Sequence, residues 1–220
     1  MKKAVIFDLD GTLADTIDDI TEALNGMLTE YGFDTITREQ TLNNINNGAF
    51  ELVRRSLPKE KQDDGFVSEA KRVYERYYSL CYCNQTHEYE GCTQALKSLQ
   101  SNGVSLSVLS NKQDEFVKSI VDKLFSDVTF DFVIGQGQFP TKPDPSAVNF
   151  IIDNLHLSTS DVVLIGDSNI DMITAKNAKI SSIGVSWGYR SPEILMENGS
   201  SFIVNSPYEI ADVLNNLIQS

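Results

Sequence analysis

The sequence predicts a doubly wound α/β fold with a helical insertion after its first strand. Short apolar runs, typical of buried parallel strands, recur along the chain. Segments with helical periodicity separate them, so that strand and helix alternate as in consecutive βα units. The alternation is interrupted between residues 15 and 84, where helical stripes occur without a convincing strand. We therefore expect a parallel-sheet core from residues 1–14 and 85–220, and an inserted helical domain from residues 15–84.

The core elements are predicted in chain order from apolar runs and capping residues. Five runs predict strands: Ala4–Phe7, Leu106–Leu109, Phe132–Ile134, Val162–Ile165 and Ile183–Val185. Five periodic segments predict helices: Ala95–Leu99, Phe116–Leu124, Ala147–Leu155, Met172–Ala178 and Ile194–Met196. Three pairs have the order of an N-cap followed by proline at the first helical position: Asp144 with Pro145, Ser191 with Pro192, and Ser206 with Pro207.

The insertion carries two apolar stripes at helical spacing. The first is Ile17, Ile20, Ala23, Leu24, Met27, Leu28 and Tyr31; the second is Phe66, Val67, Ala70, Val73, Tyr74, Tyr77 and Cys81. Amphipathic helices in a bundle bury such faces against one another. We expect both stripes to pack inside the insertion.

Charge and hydropathy exclude several classes of partner. Eighteen basic and 31 acidic residues give a formal net charge of −13, which repels nucleic acid and anionic lipid. No apolar run approaches the ~18–20 residues that a membrane-spanning helix needs. Met1, Lys2 and Lys3 give a basic start, but Asp8 and Asp10 end the apolar stretch too early for a secretory signal.

The three cysteines favour a reducing compartment. Cys81, Cys83 and Cys92 are odd in number and closely spaced, which does not resemble a disulfide framework. Their spacing is also unusual for zinc, so we expect thiols rather than metal ligands. These observations predict a cytoplasmic protein.

Four polar clusters follow the predicted strands. They are Asp8 with Asp10, Gly11 and Thr12; Ser110 with Asn111; Lys142 with Pro143; and Gly166, Asp167 and Asp171. In an open α/β sheet, ligands bind at the carboxyl ends of the strands. Distant residues are thus expected to meet in one crevice.

The residue types in these clusters suggest a metal and a phosphate. Carboxylates repel one another unless a cation joins them, and a set of oxygen ligands suits Mg²⁺. A phosphate could then bridge the metal, with its charge shared by Lys142 and by exposed N–H groups around Gly11 and Thr12.

The four clusters resemble the four motifs of the haloacid dehalogenase superfamily. Residues 7–13, Phe-Asp-Leu-Asp-Gly-Thr-Leu, resemble the first motif. Ser110 and Asn111 resemble the second, Lys142 with Pro143 the third, and Gly166-Asp167-Ser168 with Asp171 the fourth. The order and spacing of all four agree with the family pattern, and the resemblance covers nearly the whole chain.

This resemblance implies a fold and a mechanism. The family has a Rossmann-like core, and the helical insertion would be a mobile cap over the crevice. Asp8 would be the nucleophile and Asp10 the general acid and base, while Lys142 would neutralise charge. Mg²⁺ would be held by the Asp8 carboxylate, the Asp10 backbone carbonyl and Asp167, with Asp171 bracing the site. Ser110 and Asn111 would donate hydrogen bonds to phosphoryl oxygens.

A closer similarity is to the phosphoglycolate phosphatase branch. It is carried by Asn47, Gly48 and Ala49 in the insertion, by residues 141–145, and by residues 184–189. The similarity implies hydrolysis of phosphoglycolate or another small phosphorylated metabolite, with Asn47 and Gly48 near the substrate. A monomer and a homodimer both remain open.

Other functions compete with this interpretation. A phosphotransferase resembling β-phosphoglucomutase shares the nucleophile and metal, but it usually carries a bulky aliphatic residue where this chain has Thr12. A pyrophosphatase of the same superfamily also remains open. A dehalogenase proper would lack Asp10, and a non-catalytic relative should have lost Asp8 or Asp10. A receiver-type signalling domain would carry its phosphoacceptor after the third strand and would have no insertion of this size.

Overall fold

The structure, a computed structural model, describes residues 4–216 of the 220-residue chain. Within these residues the chain forms two compact units, one of residues 4–14 and 88–216 and one of residues Asp15–His87. Met1, Lys2 and Lys3, which entered the argument about a secretory signal, lie outside the described residues. So do the last four residues of the predicted core.

The described chain contains eight strands and ten α-helices. The strands are β1 Ala4–Phe7, β2 Ala14–Asp15, β3 His87–Glu88, β4 Ser105–Gln113, β5 Phe132–Gln136, β6 Val162–Gly166, β7 Ser181–Val185 and β8 Phe202–Val204. The helices are α1 Ile17–Glu30, α2 Arg38–Asn44, α3 Gly48–Ser56, α4 Asp64–Cys81, α5 Cys92–Ser101, α6 Asp114–Leu124, α7 Ser146–Asn154, α8 Asn169–Ala178, α9 Pro192–Glu197 and α10 Ile210–Asn216.

Six parallel strands form the sheet of the first unit. Their order is β5-β4-β1-β6-β7-β8. The chain runs outward from β1 through β4 to β5, returns to β6 on the other side of β1, and continues to β7 and β8. The order therefore reverses beside β1, which is where doubly wound folds bind their ligands. The α/β fold class predicted from the sequence is confirmed.

The central strands are buried on both faces. All four residues of β1 and all five of β6 are inaccessible to solvent or nearly so, which explains their continuous apolar sequences. On one face, β1 and β6 pack against α7 and α8 in a cluster of buried residues: Ala4, Ile6, Leu109, Ile134, Ala147, Val148, Ile151, Ile152, Val162, Leu164, Ala175 and Ala178.

The five predicted strands are confirmed, with differences elsewhere. Strands β2 and β3 were not predicted, because two residues give no apolar run. Strand β8, which lies at the edge of the sheet with Phe202 exposed, was missed although its apolar run is as long as that of Phe132–Ile134.

The N-cap prediction at Asp144 is wrong by one residue: α7 begins at Ser146 with Pro145 as its N-cap, and Asp144 Oδ1 accepts the Ser146 N–H at 2.9 Å. Ser191 and Ser206 are N-caps as predicted, the latter of a short 3₁₀ turn.

The second unit is helical, and its longest helices pack together. Helix α1 buries most of the predicted first stripe against α4. The second stripe differs from the prediction at its centre, because Tyr78 is buried whereas Val73 and Tyr77 are partly exposed. Gly26 lets the helices approach closely, since a Cβ there would lie 2.5 Å from the Tyr77 ring. In the part of the chain that the structure describes, no helix is long and apolar enough to cross a bilayer.

One buried carboxylate ties the end of this unit to its first helix. Asp19 is fully buried on α1 and accepts hydrogen bonds from the backbone N–H groups of Gln85 and Thr86, each at 2.9 Å. The Thr86 hydroxyl donates to the same carboxylate at 2.7 Å. The segment after α4 is therefore fixed by a charged acceptor.

We expect Asp19→Ala to lower the free energy of unfolding by about 2–4 kcal/mol, because it leaves buried donors without an acceptor. Urea denaturation followed by circular dichroism measures this loss. The control is Asp18→Ala, since the neighbouring Asp18 side chain is 42% exposed and pairs only at the surface with Arg38. It should lose less than about 1 kcal/mol. Equal losses for the two variants would contradict the assigned role of Asp19.

Candidate active site

The register of the sheet brings three of the polar clusters together. Phe7 of β1 pairs with Val108 of β4 and with Ile165 of β6. Asp8 directly follows this paired position, and its N–H donates to the Ile165 carbonyl at 2.9 Å. Asp167 follows β6 as predicted, whereas Ser110 and Asn111 lie within β4, which continues beyond its apolar residues to Gln113.

A buried lysine lies between two carboxylates at the centre of the site. Lys142 Nζ is 2.9 Å from Asp8 Oδ1 and 2.6 Å from Asp171 Oδ1. The side chains of Lys142 and Asp171 are 3% and 0% exposed. Asp171 lies in the first turn of α8, where its Oδ2 accepts the Ser168 N–H at 3.1 Å in a capping box and also accepts the Ser168 hydroxyl at 2.6 Å. The capping interaction therefore orients the carboxylate that faces Lys142.

Burial and the interactions between charges shift the pKa values of Asp8, Asp167 and Lys142. Burial raises the pKa of Asp8 well above its usual range, and the Asp171 charge adds to this against the opposing effect of Lys142. Burial also raises the pKa of Asp167 to about 7, again with a contribution from Asp171. Burial alone would lower the pKa of Lys142, but Asp171 and Asp8 reverse this and raise it. Lys142 is therefore a permanent positive charge.

Asp167 is held by the loop that follows β7. Its Oδ2 accepts the Tyr189 N–H at 2.7 Å, and its Oδ1 accepts the Thr12 hydroxyl at 3.4 Å. Two glycines permit this packing. A Cβ on Gly11, whose φ is +81°, would lie 2.3 Å from Asp167 Oδ2, and a Cβ on Gly188 would lie 2.2 Å from Asp167 Cβ.

The N–H groups of Gly11 and Thr12 are not exposed, contrary to expectation. Gly11 N–H donates to the Ala14 carbonyl at 2.9 Å, and Thr12 N–H donates to the Leu9 carbonyl at 3.2 Å. The tight turn after β1 satisfies its own donors. The Thr12 carbonyl, in turn, accepts the Trp187 indole N–H at 3.0 Å. Substrate contact by Gly11 and Thr12 stays a prediction, but through other atoms than those N–H groups.

Asp10 lies apart from the carboxylate cluster and contacts a lysine that sequence reasoning missed. Its Oδ1 forms an ion pair with Lys112 Nζ, and its Oδ2 accepts the Ser110 hydroxyl at 3.4 Å. Lys112 directly follows the Ser110-Asn111 pair in β4, and its side chain is only 8% exposed. The position of Lys112 near the end of a predicted central strand is the feature of the sequence that could have indicated its place in the site.

The Asn111 side chain contacts the backbone of Lys142. Its Oδ1 accepts the Lys142 N–H at 2.7 Å, and its Nδ2 donates to the Lys142 carbonyl at 2.9 Å. The second cluster therefore fixes the third, which lies in the loop between β5 and α7. A hydrogen bond from Asn111 to a phosphoryl oxygen stays a prediction.

The oxygen-rich cluster suits a small hard cation. Asp8, Asp167 and Asp171 each offer a carboxylate oxygen, and these oxygens lie within 4.8 Å of one another. No other group of three acidic, histidine or cysteine residues among residues 4–216 meets this distance. The ligand set is all oxygen and densely negative, which fits Mg²⁺. By contrast, burial raises the pKa of Cys81 and of Cys92 to about 12, which disfavours thiolate ligands.

Two predicted site residues belong to the second unit. Asn47 is the N-cap of α3 in the left-handed region, with φ of +62°, and Gly48 follows with φ of +80°. Arg55 Nη1 donates to the Asn44 carbonyl at 3.2 Å, three residues before Asn47, whereas Arg54 Nη1 donates to the Gln62 carbonyl at 3.1 Å, beyond the other end of α3.

Comparison with known proteins agrees with this geometry. The model of the haloacid dehalogenase-like hydrolase family matches residues 5–185. Phosphoglycolate phosphatase 1 of Pseudomonas aeruginosa is 30% identical over 210 residues, which cover 94% of this chain and 77% of that protein. Phosphoglycolate phosphatase of Vibrio parahaemolyticus is 28% identical over 218 residues and covers 96% of each chain.

Solved structures extend the similarity to three dimensions. A provisionally assigned phosphoglycolate phosphatase from Lactobacillus delbrueckii subsp. bulgaricus has a TM-score of 0.89 at 31% identity, covering 97% of this chain and 98% of its own. The family match spans more than half of the sequence and includes all four motifs. The chain therefore belongs to the haloacid dehalogenase-like hydrolase family.

Proposed function

We propose that this protein is a Mg²⁺-dependent phosphomonoesterase that acts through an aspartyl-phosphate on phosphoglycolate or a similar small phosphorylated metabolite. The observation that carries the proposal is the buried arrangement of Lys142 between Asp8 and Asp171, with Asp167 beside them. It supplies a nucleophilic carboxylate, a fixed positive charge and oxygen ligands at one point. The names of the relatives support phosphoglycolate as the first substrate to test.

Asp8 is the nucleophile in this proposal. Its carboxylate attacks the phosphorus in line, and the bond from phosphorus to the ester oxygen breaks as the aspartyl-phosphate forms. A water molecule then attacks the same phosphorus, which releases inorganic phosphate and regenerates the carboxylate. The short turn after β1, in which the Leu9 N–H donates to Asp8 Oδ1 at 2.7 Å, holds the nucleophile in place.

Asp10 is the general acid and base. It lies two residues beyond Asp8 and is held by Lys112 and Ser110, outside the cluster around Lys142. In the first step it gives a proton to the departing ester oxygen, and in the second it takes one from the attacking water. Asp8 therefore attacks while Asp10 transfers the proton.

Lys142 stabilises the charge that builds up on the transferred phosphoryl group. Its ammonium is buried and permanently charged, so its field acts in a medium of low dielectric. Asn111 fixes the main chain at this residue, and Asp171 fixes the ammonium. Lys142 is thus oriented before substrate arrives.

The residues present fit a bound Mg²⁺. The Asp8 carboxylate, the Asp10 backbone carbonyl and Asp167 would hold it, while Asp171 would orient its waters and Lys142. When bound, Mg²⁺ supplies positive charge to the phosphoryl oxygens and offsets the repulsion among the carboxylates. Tyr189 N–H and the Thr12 hydroxyl keep Asp167 oriented for this role.

We assign the helical unit to substrate selection. It would serve as a cap that excludes water from the reaction, with Asn47 and Gly48 as candidate substrate contacts. Consecutive left-handed residues at the start of α3 are the local feature that supports a specialised loop. The proposal includes a cytoplasmic location, and it leaves the choice between monomer and homodimer open.

We expect Asp8→Asn to reduce kcat at least about 10⁴-fold, because the amide cannot act as the nucleophile. Release of inorganic phosphate from 2-phosphoglycolate measures this, with and without Mg²⁺. Asp127→Asn is the matched control, since that side chain is 77% exposed and pairs only with Lys97. Turnover retained by Asp8→Asn would refute the assignment of the nucleophile. Failure of the wild-type protein on 2-phosphoglycolate, with activity on other phosphomonoesters, would refute the substrate alone.

We expect Asp167→Asn to raise the stability of the metal-free protein at pH 8.5 by on the order of 2 kcal/mol, because it removes a buried charge beside Asp171. The gain should shrink as the pH falls below 7, where the wild-type carboxyl becomes neutral as well. Mg²⁺ should raise the Tm of the wild type by more than that of the variant, which keeps only Asp8 and the Asp10 carbonyl as proposed charged and neutral ligands. Denaturation in EDTA and in Mg²⁺ measures both effects, and equal stabilisation of the two proteins by Mg²⁺ would refute ligation by Asp167.

We expect Gly188→Ala to weaken Mg²⁺ binding at least about tenfold, because the new Cβ would lie 2.5 Å from the Gly11 carbonyl oxygen and displace Asp167. Isothermal titration calorimetry with Mg²⁺ measures the affinity directly. Gly65→Ala is a suitable control, since a Cβ there would meet its nearest atom at 3.3 Å on the exposed side chain of Asp63. Unchanged affinity for both variants would show that the β7 loop does not orient the metal ligand.

A further inference from the structure

Four asparagines of the chain are each followed by glycine. They are Asn25, Asn47, Asn102 and Asn198. In such a pair the backbone nitrogen of the glycine can attack the side-chain carbonyl carbon of the asparagine, because glycine has no side chain to block the approach. The four pairs share this chemistry, so their surroundings in the folded protein decide which of them reacts.

The pair in α1 is held on both sides. Asn25 Nδ2 donates to the Ile36 carbonyl at 2.9 Å, and Asn25 Oδ1 accepts the Ile36 N–H at 2.8 Å. Gly26 lies in the interior of α1, where N–H groups are bonded along the helix. The helix would therefore have to open before this pair could react.

The pairs that end α5 and α9 are held in a similar way. Asn102 Nδ2 donates to the Ser98 carbonyl at 2.8 Å, and the Gly103 N–H donates to the Gln100 carbonyl at 3.0 Å. The same two kinds of bond recur after α9, from Asn198 Nδ2 to the Ile194 carbonyl at 2.8 Å and from the Gly199 N–H to the Met196 carbonyl at 3.1 Å. Both reacting groups of each pair are thus engaged.

Asn47 and Gly48, at the start of α3, have neither restraint. Among residues 4–216, no hydrogen bond is formed by the Asn47 side chain or by the Gly48 N–H. The Asn47 N–H donates to Asn46 Oδ1 at 3.0 Å, which leaves both reacting groups available. Asn47 is exposed to solvent, but so is Asn102. Hydrogen bonding rather than exposure therefore distinguishes the Asn47 pair.

Ring closure requires a similar backbone rotation at three of the pairs. The ψ angle is 27° at Asn47, 10° at Asn102 and 8° at Asn198, and rotation about this bond moves the nitrogen of the following glycine. At Asn102 and Asn198 the rotation breaks the hydrogen bond of that glycine, and the side-chain amide must be released as well. Loss of two hydrogen bonds makes the reactive geometry about ten- to a hundredfold rarer.

We propose that Asn47 and Gly48 form a site of spontaneous deamidation, and that the product weakens the binding of anionic substrates. The Gly48 nitrogen attacks Asn47 Cγ, so that an N–Cγ bond forms and the Cγ–Nδ2 bond breaks. Ammonia leaves with the proton lost by the Gly48 nitrogen. Water then opens the resulting succinimide at either carbonyl, which gives aspartate or isoaspartate at position 47. The reaction needs no reagent other than water.

The product adds a negative charge to the segment assigned to substrate selection. This effect rests on the proposed function, in which Asn47 and Gly48 are candidate contacts for a phosphorylated metabolite. The Asn47 amide can donate to an anion, whereas a carboxylate only accepts hydrogen bonds and repels the anion. With a net charge of −13, the protein has no excess of positive charge to offset this repulsion.

Peptide mapping by mass spectrometry tests the site without an activity assay. In the folded wild-type protein, kept in mildly alkaline buffer, Asn47 should deamidate at least about tenfold faster than the other three asparagines, because its pair has no hydrogen bonds to break. In concentrated urea the four rates should agree within about threefold, since no pair is then held by the fold. Equal or faster reaction at Asn102 or Asn198 in the folded protein would overturn the proposal. So would an equal advantage of Asn47 in urea.

Two variants measure the effect of the added charge. Asn47→Asp reproduces one product, and Asn102→Asp adds the same charge at an exposed residue of the first unit. Asn47→Asp should raise KM for 2-phosphoglycolate about three- to tenfold and leave kcat unchanged. Asn102→Asp should change neither constant, and circular dichroism checks the fold of both variants. An unchanged KM in Asn47→Asp, or an equal rise in both variants, would overturn the assigned effect on substrate binding.

Failure of the proposed function is recognised separately. Absence of wild-type activity on phosphomonoesters would refute that function, whereas the deamidation rates at the four asparagines are measured without any substrate.

Discussion

The site depends on one buried ammonium that lies between two buried carboxylates. Lys142 neutralises part of the repulsion among Asp8, Asp167 and Asp171. Burial and this repulsion raise the pKa values of Asp8 and Asp167. The surrounding fold is arranged to keep it there: Asn111 binds its main chain, and the capping box of α8 orients Asp171. An apolar sheet buried on both faces provides the low dielectric in which this charge acts strongly.

Much of this could be predicted from the sequence, because parallel strands end at a common edge. The ends of β1 and β6, and the change from apolar to polar residues within β4, were visible in the sequence, and the register then places Asp8, Ser110 and Asp167 together. What could not be predicted depends on side-chain direction or on distant loops. The ion pair of Lys112 with Asp10 and the hydrogen bond from Tyr189 to Asp167 join residues 102 and 22 positions apart.

The expectation of exposed N–H groups at Gly11 and Thr12 was wrong for a physical reason. A glycine-containing turn after a strand suggests free N–H groups, yet a turn this tight satisfies its donors internally. The glycine is needed for a different reason, since it allows Asp167 and Tyr189 to approach the turn. Glycine is therefore required at position 11 both by the positive φ and by the close packing around it.

The contact between the β7 loop and the turn after β1 also gives the protein an intrinsic fluorescent probe. Trp187 is the single tryptophan of the chain, and its indole N–H donates to the Thr12 carbonyl at 3.0 Å. Its fluorescence therefore originates beside the nucleophile's turn rather than being averaged over several positions. Emission wavelength and quenching would report a change in packing at this turn in real time, with no label attached and no background from a second indole.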